Sequence, residues 1–166
     1  PSQNQIGEVL LKTLGRERTG VGRADSGLVV IRRQLASWGI DSASVALLDG
    51  SGLTRRNFLT PEAVVRVLAV MRADAHFEVF FNALPTAGVD GTTRTRMHGT
   101  PAQANARAKT GTLDRVRNIS GYVTTADGRQ LIFSLLVNNQ SVPSRDVEIA
   151  QDLIVAQLAA LELTPR

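Results

Sequence analysis

Ala106–Asn138 reads ARAKTGTLDRVRNISGYVTTADGRQLIFSLLVN. Three short runs, Ala106 to Thr112, Asn118 to Thr125 and Gln130 to Asn138, are separated by turn residues, and the second and third are rich in Ile, Val, Leu, Tyr and Phe. Asp127-Gly128 between those two, after Ala126, is a hairpin signal. The segment therefore predicts an antiparallel meander, and everything else in the chain is placed around it.

Before the meander the periodicity is helical. Ile6, Val9, Leu10 and Leu14 recur at helix spacing over Gln5 to Leu14, with Ser2 or Asn4 available as N-cap. Gly15 to Gly27 reads as a loop into a second helix, Leu28 to Trp38, ended by Gly39. Val45 to Leu48 is a candidate strand, stopped by Asp49-Gly50-Ser51-Gly52. Thr60-Pro61-Glu62 opens a third helix, with Thr as cap and Pro at the first helical position, and Val64, Val65, Leu68 and Met71 form its apolar face. Leu84 to Asn105 is rich in Gly, Thr and Pro and reads as a long irregular segment containing a short helix. Long loops of this kind are usually functional. After the meander, Ser144 to Leu161 forms a closing helix whose Val147, Leu153, Ile154 and Leu158 suit packing on a sheet. Helices followed by an antiparallel sheet and a last helix make an α+β fold, expected as one domain over 1–166 with no internal repeat.

Composition removes several classes of function. The chain has 166 residues, 43% hydrophobic and 20% charged, enough for one ordinary core and unlike a disordered segment. Its longest apolar stretch, Leu131 to Val137, is far too short to cross a bilayer. With no Cys there are no disulfides and no thiolate metal sites. The net charge is +4, and every basic residue except Lys12 and Lys109 is Arg. Those Arg are scattered and aromatics amount to 4%, which argues against nucleic-acid binding. Pro1-Ser2-Gln3-Asn4-Gln5 has neither the basic start nor the apolar run of a secretory signal, which reads as a piece of a longer protein.

Lys109-Thr110-Gly111 lies in the first predicted strand and uses one of two lysines. A three-residue match is weak by itself, since an exposed Lys on an edge strand reads the same way. Ser2-Gln3-Asn4, at the head of a helix, has the Ser-x-Asn form of the second motif in penicillin-recognising enzymes, and a plain N-cap explains it equally well. Two His with no nearby ligand pattern make no metal site, Gly20-Val21-Gly22 is no phosphate loop, and Gly50-Ser51-Gly52 has the wrong spacing for a nucleophile elbow. His76 and His98 read as surface residues rather than members of a Ser-His-Asp triad.

The order and separation of the two motifs, and what lies between them, resemble the class C low-molecular-mass penicillin-binding proteins, the serine D-alanyl-D-alanine carboxypeptidase and endopeptidase family. Asp49-Gly50-Ser51-Gly52-Leu53-Thr54-Arg55 is similar to that family's Asp-Gly-Ser-Gly-Leu-Ser-Arg. Leu84-Pro85-Thr86-Ala87-Gly88 is similar to its Leu-Pro-x-Ala-Gly, and Ala108 to Leu113 followed by Ser120-Gly121-Tyr122 completes the likeness. The resemblance implies the C-terminal part of a penicillin-binding, serine β-lactamase-like transpeptidase domain. In that chemistry a Ser of a separate Ser-x-x-Lys motif attacks the penultimate D-Ala carbonyl and an acyl-enzyme forms and is hydrolysed.

By this resemblance the catalytic residues are Ser2, Asn4 and Lys109. Ser2 relays a proton to the leaving amine, Asn4 holds the substrate's amide, and Lys109 sets positive charge beside developing negative charge. Thr110, Gly111 and Thr112 bind substrate: the two hydroxyls take the terminal carboxylate, Gly111 leaves room for the ligand, and the Thr112 N–H serves an oxyanion hole. The implied partners are peptidoglycan stem peptides ending in D-Ala-D-Ala, β-lactams, and the missing N-terminal part of the same protein. The implied address is extracytoplasmic, and no cofactor is implied. The chain departs from the family in Gln3, where Asp is usual, and in having no Ser followed three positions later by Lys. A C-terminal fragment lacking its nucleophile, inactive alone, is therefore expected. The alternative is a non-catalytic module of the same fold that holds stem peptides, and the upstream sequence discriminates the two.

Overall fold

The structure, a computed structural model, describes residues 2–163. The chain divides into two compact units, Pro1–Val67 and Leu68–Arg166.

In the first unit α1 (Asn4–Thr19) and α2 (Ala24–Ser37) form a helical hairpin. The expected loop from Gly15 to Gly27 shrinks to Gly20–Arg23. Gly15 and Gly27 do not break the helices; they let them touch. A Cβ on Gly27 would lie 2.1 Å from Leu11 O, and one on Gly15 would lie 2.8 Å from Gly27 N. Gly20, at φ 78, ends α1 with its N–H on Arg16 O. The N-cap is Gln3, without a side-chain bond, so neither Ser2 nor Asn4 caps α1. The expected apolar face is also displaced: Leu11 and Gly15 are buried, while Ile6, Val9 and Leu10 are 51%, 55% and 62% exposed. Packing through glycine backbone rather than large side chains rotates the buried stripe away from the periodic one.

The candidate strand Val45 to Leu48 pairs over two residues only, β1 (Val45–Ala46) with β2 (Phe58–Leu59). The intervening loop is closed internally instead. Asp49 accepts hydrogen bonds from Gly52 N, Thr54 N and Asn57 Nδ2 at 2.8, 2.9 and 2.7 Å. Helix α3 (Pro61–Arg72) starts as read: Thr60 Oγ1 accepts from Ala63 N.

The second unit holds the meander, β3 (Arg107–Leu113), β4 (Val116–Thr124) and β5 (Gln130–Asn138), antiparallel in that order with Lys109 opposite Ser120 and Ser120 opposite Ser134. Alternation gives the sheet two faces. Ala108, Ile119, Val123 and Phe133 pack with Val155 and Ala159 of α5 (Ser144–Ala160). On the other face Tyr122 meets Phe77 and Phe81 of α4 (Phe77–Ala83), a helix not foreseen in the sequence, at 5.4 and 5.6 Å between ring centroids. Burial pushes the Tyr122 phenol up to about 12, and its hydroxyl donates to Leu68 O.

The buried stripe of α5 is Val147, Gln151, Val155 and Ala159, with Leu158 partly buried; Leu153 and Ile154 are 58% and 46% exposed and do not pack on the sheet as expected. Gln151 explains the difference. Its amide donates to Arg117 O at 2.9 Å and accepts from Arg96 Nη2 at 3.3 Å, so a polar residue occupies a core-facing position that hydrophobic periodicity skips.

The segment between α4 and β3 is irregular with one short 3-10 turn, Gly91–Thr93, as the sequence suggested. Its start lies along β3, with Thr86 bridged to Arg107, Ala87 N on Ala106 O, and Ala108 N on Pro85 O. Its far end is held by Arg96, 6% exposed, which donates to Asp152 of α5 at 2.8 Å.

Candidate active site

The sequence-derived residues fall into one group in each unit. In the first, Asn4 opens α1 and Ser2 precedes the cap; both are exposed, and among the described residues neither side chain has a hydrogen-bond partner. Their support comes one turn later. Glu8 Oε1 accepts from Gly50 N and Ser51 N, each at 2.9 Å. Beside it Gly7 and Gly50 meet backbone to backbone, since a Cβ on either would lie 2.4 Å from the other's carbonyl oxygen. The Asp-Gly-Ser-Gly loop is thus a clamp on the helix that Asn4 opens. Burial raises the Asp49 carboxyl, but hydrogen bonds from Asn57, Thr54 and Gly52 outweigh it and hold the group below its ordinary 3.8.

In the second unit Lys109, Thr110, Gly111 and Thr112 are consecutive in β3, an edge strand. Pairing parity decides what the edge offers. Ala108 N–H points away from β4, to Pro85 O, so the N–H and C=O of Thr110 and Thr112 point to that same outer edge. The Pro85–Ala87 strap covers the edge as far as Ala108; beyond it the Thr112 N–H faces outward. Lys109 Nζ donates to Thr110 O, bringing its charge to this edge. Solvent reaches Lys109, yet the protein around its ammonium removes enough hydration to lower its pKa from 10.5. Thr110 Oγ1 donates to Thr92 Oγ1 at 2.7 Å. Gly111 is not forced by its neighbours, because a Cβ there would meet Asn118 Cβ at an ordinary 3.5 Å.

A cation, an outward N–H and threonine hydroxyls along an unpaired edge suit an acyl group whose carbonyl oxygen becomes negative and which ends in a carboxylate. His76 and His98 are exposed, as the sequence suggested, and the His76 ring sits against Asp74 at 2.9 Å.

The family model described as D-Ala-D-Ala carboxypeptidase 3 (S13) matches residues 1–159. The chain belongs to that family. The S13 match runs across both units, and so do its relatives. A D-alanyl-D-alanine carboxypeptidase of Actinomadura sp. (strain R39) is 39% identical over 163 residues, which is 95% of this chain and 30% of the relative. The DacB carboxypeptidase of Haemophilus influenzae is 33% identical over 117 residues, 69% of this chain and 24% of that one. This chain therefore spans less than a third of the length of these two relatives. Among solved structures, penicillin-binding protein 4 of Haemophilus influenzae complexed with a β-lactam aligns with TM-score 0.86 at 27% identity, covering 96% of this chain and 39% of that one. The S13 fold extends to a TLA-1 β-lactamase, at TM-score 0.57 and 18% identity.

Sequence reading missed two residues that the geometry brings forward. Glu8 looks like any exposed helix glutamate until the loop 42 residues away folds onto it. Thr92 lies 18 residues before Thr110, and only the strap along β3 makes them neighbours.

Proposed function

We propose that this chain is the C-terminal part of one catalytic domain of a serine D-Ala-D-Ala carboxypeptidase or endopeptidase, acting on peptidoglycan stem peptides outside the cytoplasmic membrane and acylated by β-lactams. The observation that carries the reading is the uncovered edge of β3, where Lys109, the Thr112 N–H and the hydroxyls of Thr110 and Thr112 lie within four residues.

On this reading the nucleophilic Ser and its Lys belong to a segment outside the 166 residues, for no Ser here is followed by Lys three positions on. The Ser gives its proton to that Lys as its oxygen bonds to the penultimate D-Ala carbonyl carbon, the peptide C–N bond breaks, and Ser2 relays the proton to the departing amine. Asn4 keeps the substrate amide in line. Charge that develops on the carbonyl oxygen meets the Thr112 N–H, a donor of a kind whose removal costs about 2.7 to 4 kcal/mol in the transition state. Lys109 sets its positive charge beside that oxygen, and the two threonine hydroxyls take the terminal carboxylate, which distinguishes a chain end from a chain interior. Water then hydrolyses the acyl-enzyme.

Incubation with a fluorescent penicillin tests this. The full-length gene product takes up stable label and loses it on Lys109→Ala, whereas the 166-residue chain alone stays unlabelled; stable labelling of the chain alone contradicts the assignment.

A further inference from the structure

The Thr110 hydroxyl has a partner that the proposed chemistry does not use. A hydroxyl carries one proton and two lone pairs, and its proton rotates to suit its surroundings. Thr110 Oγ1 donates to Thr92 Oγ1 at 2.7 Å. To hold a carboxylate, which only accepts, Thr110 must turn that proton outward. The lone pair left facing Thr92 is then satisfied only if Thr92 donates in return.

Thr92 is built to stay in place. It is exposed, but the residues on either side of it are fixed: Thr93 is fully buried, and Gly91, at φ 54, packs so closely on Pro85 that a Cβ would lie 2.8 Å from its ring. Asp90 Oδ1 accepts from Thr86 N at 2.8 Å, and Pro85 O accepts from Ala108 N. A short run of contacts thus ties the turn to the strand that bears Thr110. The turn does not need the Thr92 hydroxyl to hold it, since Asp90, Thr93 and Arg96 already do so. An exposed hydroxyl with no anchoring duty, aimed at a substrate-binding hydroxyl, points to a role in binding.

We propose that Thr92 is a positioning residue of the carboxylate subsite: it donates to Thr110 Oγ1 and so orients the Thr110 proton toward the terminal carboxylate of a peptide or β-lactam. The inference rests on the reading of Thr110 as a carboxylate-binding group. Chained hydroxyls polarise each other, so the outer bond strengthens when the inner one forms. The effect belongs to binding, not to bond breaking.

Single-turnover acylation of the full-length product by a β-lactam separates the dissociation constant of the first complex from the acylation rate constant. Thr92→Val, which keeps the shape and removes the hydroxyl, raises the dissociation constant about tenfold and leaves the rate constant within about twofold, with an unchanged melting temperature. Thr92→Ser restores the parent value. An unchanged dissociation constant in Thr92→Val, or a failure of Thr92→Ser to restore it, overturns the proposal. Thr110→Val is the reference: if it binds as the parent does, the reading of Thr110 itself fails, whereas weak binding by Thr110→Val beside normal binding by Thr92→Val sinks only the role of Thr92.

Discussion

At the scale of single residues, the proposed chemistry turns on Lys109 being an ammonium at the β3 edge. Lost hydration lowers its pKa from 10.5, so its charge is complete below the lowered value and disappears as pH rises through it. Acylation of the full-length product should therefore fall on the alkaline side with a midpoint below 10.5, and Lys109→Arg, whose guanidinium stays charged, should remove that limb. A limb that persists unchanged in Lys109→Arg assigns the titration to another group. Lys109, Thr110, Gly111 and Thr112 can be named as a group from the sequence because the motif is contiguous. What they offer was not legible there, for only the bond from Ala108 N to Pro85 O shows which way the Thr112 N–H points. Gly111 separates the two levels: none of the described residues excludes a side chain there, so the reason for glycine is sought in the ligand.

At the scale of elements, the three strands of the meander and the α3 start were legible from turn chemistry and capping, which act locally. The helical hairpin was misread where packing overrides local preference. Gly7 illustrates the contest. Alanine is the better helix former by about 1 kcal/mol, but its Cβ would lie 2.4 Å from Gly50 O, and forcing a packed interface apart costs about 1–3 kcal/mol. Packing wins, so Gly7→Ala is expected to lower the urea midpoint of the full-length product; a raised midpoint means the contact between α1 and the Asp49 loop is not held in solution. The same override put Gln151 on the inner stripe of α5, where its amide joins Arg96 and Arg117 O and no hydrophobic pattern marks it. Helix α4 escaped notice because its seven residues are too few for helical periodicity to stand out.

At the scale of the whole molecule, the S13 assignment was legible from landmarks in the right order, from Ser2-Gln3-Asn4 to Ser120-Gly121-Tyr122, none of which convinces alone. The pairing of Thr92 with Thr110 and the clamp of Glu8 on Gly50 were not, because each joins residues that only the folded chain makes neighbours. The claim on which the account depends is that the open β3 edge receives the acyl group. The most direct measurement is the structure of the full-length product acylated by a β-lactam. The account predicts the ester carbonyl oxygen about 2.7–3.1 Å from the Thr112 N, with the ligand's carboxylate on the Thr110 and Thr112 hydroxyls. An acylated protein whose ligand leaves the Thr110–Thr112 edge empty contradicts it.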